Sequence, residues 1–211
     1  MKFDSVLFDL DGTLWNATQA IADSWAPVLT ASPLVDKLPS LADYEGVMGL
    51  EPAPLMDKLF PALSWEQAKP LWADCCQAEL DYLRAHGGCL YGGLEEMLQA
   101  LSAHVRLMIV SNCNDGYIES FLEAHRLGRY FADTECAGRT GLSKGENIRL
   151  IAERNHLLSP VYVGDTRWDY EAAESAGVPF IHAAYGFGEV PGVPAISSPA
   201  ALVDLILTKQ E

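Results

Sequence analysis

Val6-Leu7-Phe8 runs without a polar residue straight into Asp9-Leu10-Asp11-Gly12-Thr13-Leu14, and this junction constrains the fold more than any other stretch. Consecutive apolar, strand-forming residues with no alternation read as a strand buried on both faces, the habit of parallel sheets. Side chains two apart on an extended chain share a face, which puts Asp9 and Asp11 together. Acids so placed repel unless a cation or a shared proton offsets them. A catalytic or metal site at the strand's carboxyl end follows from that reading. A calcium loop competes with it, and needs Gly sixth and Glu twelfth. Counted from Asp9 those places hold Leu14 and Ala20, and with Gly12 sixth the loop would start at Leu7 and end at Thr18. A plain surface turn also fits, because Asp-Gly is a common turn pair.

Further apolar runs repeat the pattern. Val105 to Val110 leads into Ser111-Asn112, Val161-Tyr162-Val163 into Gly164-Asp165, and Val178 to Ile181 into His182. A weaker strand over 130–136 suits a sheet edge. Helical spacing covers 94–103, 117–126, 146–155, 169–176 and a closing segment over 199–209. Strands alternating with helices predict an α/β fold, a Rossmann-like parallel sheet core with helices on both faces. Residues 15–88 differ, with helix-like spacing, many prolines, Trp15, Trp25, Trp65 and Trp72, and no convincing β-run. They predict a helical subdomain inserted after the first strand, leaving 1–14 and 89–211 as the α/β core. Gly87-Gly88 and Gly92-Gly93 bracket the return to the core and suit a hinge or simple loops. Tyr44 to Gly49 reads as an interhelical turn rather than a specificity loop. Tyr185-Gly186-Phe187-Gly188 reads as a structural turn rather than a loop at a site mouth.

Ligands of open parallel sheets sit beyond the carboxyl ends of the strands. Here those ends carry Asp9 and Asp11, Ser111 and Asn112, and Asp165, a coincidence more specific than any single motif. Asp165 and Asp169 flank a helix start, where a carboxylate can serve as a simple cap. Beside Asp9 and Asp11 they also suit a hard-cation site, and oxygen ligands without His or Cys point to Mg²⁺ rather than zinc. The net charge of -15 argues against nucleic acid or an anionic membrane surface as partner, and would repel a phosphorylated substrate. An anion site must therefore be built locally, and Lys144, just before a helix, supplies the positive charge it needs. Five cysteines without a CxxC pair suit reduced thiols. With no signal-like segment and no apolar run of membrane length, a soluble, cytoplasmic monomer or homodimer is expected. The histidines show no ligand spacing and receive no role.

Four pieces in this order resemble the haloacid dehalogenase superfamily of phosphohydrolases, phosphoglycolate phosphatase-like: FDLDGTL, VSNCN, the lysine of LSKGENI, and VGDTRWD. The resemblance spans residues 3 to about 185, with the insert at the place of that family's α-helical cap, here 15–88. It implies a Mg²⁺-dependent phosphatase acting on a small phosphorylated metabolite, phosphoglycolate-like or a sugar phosphate. Asp9 would be the nucleophile forming an aspartyl-phosphate, and Asp11 the general acid and then base. Mg²⁺ would sit between Asp9, the Asp11 carbonyl and Asp165, with Asp169 a ligand or just behind one. Ser111, Asn112 and Lys144 would hold the phosphoryl oxygens. Alternatives within the same resemblance are a phosphosugar mutase like β-phosphoglucomutase and a non-catalytic binding or regulatory protein. Two departures stand out, Lys-Gly-Glu where Lys-Pro is frequent and Asn16 where many relatives carry an acid.

Overall fold

The computed structural model describes residues 3–207. Residues 1, 2 and 208–211, which the expected core and closing helix include, lie outside the described residues. In chain order the elements are β1 (Ser5–Phe8), β2 (Trp15–Asn16), α1 (Thr18–Ala31), α2 (Leu41–Glu45), α3 (Pro52–Leu59), α4 (Trp65–His86), β3 (Cys89–Leu90) and α5 (Leu94–Ser102). There follow β4 (Arg106–Ser111), α6 (Tyr117–His125), a single 3₁₀ turn (Gly128–Tyr130), β5 (Asp133–Cys136), α7 (Ala137–Thr140) and α8 (Lys144–Arg154). The chain closes with β6 (Pro160–Gly164), α9 (Arg167–Ala176), β7 (Phe180–Ala183), β8 (Ala195–Ile196) and α10 (Pro199–Leu207).

Six strands form one parallel sheet in the order β5-β4-β1-β6-β7-β8. The apolar runs are buried on both faces, as their lack of alternation requires. Their period of two divides them between two cores. Val6, Phe8, Leu107, Ile109, Val161 and Val163 pack with α5, α6 and α10, while Leu7, Met108, Val110 and Tyr162 pack with α8 and α9. Helices therefore cover both faces, and the expected weak strand near 130–136 is the edge strand β5.

The chain moves from β1 to β4 and β5 on one side, then returns to place β6, β7 and β8 on the other. That reversal leaves a crevice beyond the carboxyl ends of the central strands. Between β2 and β3 the regular elements are the four helices α1 to α4, with α1 and α3 packed on α4 and α2 on α1. α4 begins at a Ser64–Gln67 capping box and ends at Gly87, whose φ of 68° terminates the helix.

Three expectations need correction. β2 lies inside the stretch read as free of strand, and pairs antiparallel with β3 through Trp15↔Leu90 and Asn16↔Cys89. Both crossings into the helical segment are thus tied into one short ribbon. Two residues per strand offer too little pattern for a sequence reading. β8 has the same length and was equally illegible. Finally, the strand toward His182 is shifted, running Phe180–Ala183, because Pro179 lacks the N–H that an interior strand position uses.

Candidate active site

β1 stops at Phe8, one residue short of the first carboxylate. Residues 10–15 curl into a tight turn, with Leu14 N and Trp15 N on the Leu10 carbonyl and Gly12 N on the Trp15 carbonyl. Asp11 is therefore placed by that turn and not by strand alternation, whereas Asp9 still follows the ladder, its N–H donating to the Val163 carbonyl at 2.8 Å, and both line one cavity. Gly12 makes the turn possible. Its φ is 78°, and a Cβ there would fall 2.1 Å from Asp165 Oδ2.

β1 pairs β4 on one side and β6 on the other, with Phe8 opposite Ile109 and Val163. That register puts Ser111 and Asp165 one residue beyond the level of Asp9, on the adjacent strands to either side of β1. Lys144 reaches them from the first residue of α8, which a Ser143–Glu146 capping box anchors. Its Nζ donates to Asp9 Oδ1 at 2.8 Å and Asp169 Oδ1 at 2.6 Å, and all three side chains are buried. Gly145 explains the departure from Lys-Pro. A Cβ there would meet Ser175 Oγ at 2.1 Å and the Ala172 carbonyl at 3.0 Å, so glycine lets α8 approach α9.

The carboxylates have distinct surroundings. Asp169 Oδ2 accepts from Thr166 N and Thr166 Oγ1, and with Lys144 on Oδ1 both its oxygens are engaged. Asp165 Oδ2 accepts from Phe187 N at 2.7 Å, whereas its Oδ1 is buried without a hydrogen-bond partner among the described residues. Asp11 Oδ1 accepts from Tyr117 Oη at 2.9 Å. Asp9, Asp165 and Asp169 each offer an oxygen within 4.8 Å of the others.

Burial, then the Asp169 charge, pushes the Asp9 carboxyl above its ordinary range, and Lys144 opposes this. Asp165 is raised by the same two causes in the same order. Burial alone would lower the Lys144 ammonium, but the Asp169 and Asp9 carboxylates outweigh it and hold the proton well above the ordinary value. Burial lifts Asp11 to about 6, against the Tyr117 hydrogen bond. Three buried carboxylates thus share one ammonium, and the excess negative charge is what a bound cation would neutralise. The orphaned Asp165 Oδ1 and the all-oxygen donor set fit a hard divalent ion.

Several contributors were missed or underrated in the sequence. The turn Tyr185 to Gly188, read as structural, walls the site. Phe187 N binds Asp165, and a Cβ on Gly186 would lie 2.3 Å from Asp165 Cβ. His182, given no role, is buried with Nε2 3.1 Å from the Asp165 carbonyl and 3.2 Å from the Gly188 carbonyl, clamping that turn. The turn after Tyr44 lines the cavity at Val47, Met48 and Gly49, and Asn112 Nδ2 donates to the Gly49 carbonyl at 3.2 Å. Paired glycines hinted at both turns. Nothing in the sequence pointed to Glu79, a buried carboxylate of α4 on the cavity wall.

Residues 6–183 match the sequence profile of the haloacid dehalogenase-like hydrolases. The chain belongs to that family. A phosphoglycolate phosphatase of Rhodospirillum rubrum is 27% identical over 199 residues, covering 89% of this chain and 82% of that protein. A 5'-nucleotidase of Pseudomonas aeruginosa is 25% identical over 219 residues, covering 100% and 96%. Among solved structures, a haloacid dehalogenase-like hydrolase from Streptococcus pneumoniae superposes with a TM-score of 0.80 at 20% identity, covering 97% and 99% of the two chains. That last likeness is one of fold. The matched stretch, residues 6–183, spans the positions of Asp9, Asp11, Ser111, Asn112, Lys144, Asp165 and Asp169. Among the described residues, no helix is long and apolar enough to cross a membrane.

Proposed function

We propose that this hydrolase is a Mg²⁺-dependent phosphatase that cleaves a small phosphorylated metabolite through a phosphoryl ester of Asp9. The observation that carries it is the buried Asp9–Lys144 pair beside a second carboxylate, Asp11, that is held by Tyr117. Asp9 Oδ1 is occupied by Lys144, and its other oxygen makes no hydrogen bond among the described residues, so it is free to attack phosphorus. The Asp9 O–P bond forms as the P–O bond to the alcohol breaks, and Asp11 gives its proton to the departing oxygen. A water then attacks the phosphorus, returns a proton to Asp11 and releases Asp9. Burial favours the protonated form of the Asp11 carboxyl, the form that the first step needs.

Ser111, the Asn112 N–H and Lys144 would hold the phosphoryl oxygens. Asp9, the Asp11 carbonyl and Asp165 through its free Oδ1 would hold the cation, while Asp169, with both oxygens engaged, positions Lys144. When bound, Mg²⁺ supplies charge neutralisation at the transferring phosphoryl group.

The test is phosphate release from an aryl phosphate with and without Mg²⁺. Asp9→Asn is expected to abolish turnover. Asp11→Asn should cost roughly 10²- to 10⁴-fold on alkyl esters and less on the aryl ester, whose phenolate leaves without a proton. Turnover by Asp9→Asn at the wild-type rate would sink the reading.

A further inference from the structure

The cavity above Asp9 has two unlike halves. Its floor is the phosphoryl site at the strand ends. Its roof comes from the helical segment and is mostly apolar, with Trp25, Tyr44, Met48, Leu55 and Trp72 around one carboxylate, Glu79. Lys144 is the sole lysine, arginine or histidine among the described lining residues, and Asp9 and Asp169 already engage it. Glu79 is 6% exposed. Its Oε2 accepts from Trp25 Nε1 at 2.6 Å, and the carboxyl group makes no other hydrogen bond among the described residues. No step of the reaction above uses it.

A phosphate ester seated on the floor carries its alcohol part up under this roof. An alcohol bearing a carboxylate would bury that charge with no cation to pair it and with Glu79 opposite. An unpaired buried charge is costly, and above about pH 8, where Glu79 is ionised, a like charge beside it adds to the cost. An alcohol bearing a hydroxyl or ammonium could instead donate to Glu79 Oε1 while its carbons pack on the tryptophans. We infer that Glu79 selects a leaving alcohol that is not anionic and carries a hydrogen-bond donor, so that a carboxylate-bearing ester such as phosphoglycolate is a poor substrate. The inference rests on the phosphatase reading and narrows its substrate class against the name borne by several relatives.

Matched esters decide it. Phosphoglycolate is compared with hydroxyethyl phosphate, and phosphoglycerate with glycerol phosphate, each esterified at the terminal carbon. The members of each pair differ only in carboxylate against hydroxymethyl, and phenyl phosphate serves as the turnover control. With Mg²⁺ and wild-type protein at about pH 9, above the value of about 8 at which Glu79 loses its proton, kcat/KM should favour the hydroxyl member by about tenfold or more in both pairs. A smaller preference in either pair overturns the inference. At that pH Glu79→Gln removes the charge and keeps an acceptor, and should shrink the preference by about threefold or more. Glu79→Leu serves the same purpose if the first variant does not give a native circular dichroism spectrum. A folded variant with the wild-type preference overturns the assignment to Glu79. Absence of turnover on every ester, phenyl phosphate included, is a different outcome and overturns the phosphatase reading itself.

Discussion

Glu79 shows at the scale of one residue how position changes chemistry. Burial lifts its carboxyl from an ordinary 4.5 to about 8, against the Trp25 hydrogen bond. Between those values the folded protein keeps a proton that the unfolded chain has lost, so stability falls as pH rises through that window. Below about pH 4.5 both states are protonated and the penalty vanishes. Glu79→Gln carries no titrating proton, so its melting temperature should gain on wild type steadily from about pH 5 to about pH 8. Parallel melting curves across that range would show that Glu79 is ionised in the folded state. Asp9, Asp11 and Asp165 were legible because each ends an apolar run, which is a local signal. Glu79 sits in an ordinary helical stretch, where a carboxylate is by default exposed. Only the packing of α1 on α4 turns it inward, toward Trp25.

At the scale of elements, α8 delivers Lys144 through its first residue. The Ser143–Glu146 box fixes where the helix starts, with Ser143 Oγ donating to Glu146 Oε2 at 2.6 Å. Ser143→Ala removes the cap and should lower the melting temperature by roughly 2–4 °C. Because Asp9 and Asp169 also hold the ammonium, kcat/KM should change less than about threefold. A larger kinetic loss would mean that the helix start, rather than the ion pairs, places the lysine. The sequence marked this helix from residue 146, after the lysine, because Lys144 and Gly145, though buried, add no apolar side chain to the periodicity. The capping box extends the helix back to Lys144. The ribbon of β2 and β3 shows the opposite case. It consists of four residues from segments about 73 apart in the chain, Trp15–Asn16 and Cys89–Leu90, and only their encounter defines it as a strand pair.

For the whole molecule, the charge of -15 sets a field that opposes the approach of a dianionic ester. Lys144 and a bound cation act at short range inside the cavity, where added salt screens them little. Salt instead screens the exposed acids over a distance of about 10 Å at 0.1 M. Raising ionic strength from about 0.01 M to about 0.15 M with a non-chelating salt should therefore raise kcat/KM for an alkyl phosphate, chiefly by lowering KM. A fall over that range would show that the site's own positive potential extends beyond its mouth. Sheet order also belongs to this scale. The placement of β1 between β4 and β6 brings three strand ends far apart in the chain side by side.

By itself the sequence determined the parallel sheet, the helical insertion and the residues at the strand ends, because each is written in local hydrophobic periodicity and its interruptions. Tertiary structure alone decided the rest. It curled residues 10–15 so that a turn, not a strand, presents Asp11 beside Asp9, and it gave Asp169 to Lys144 while leaving Asp165 Oδ1 without a partner among the described residues. It also put a carboxylate in the roof with no free cation among the described lining residues. These are contacts between segments distant in the chain, and a buried charge acquires its chemistry from such neighbours rather than from its place in the sequence.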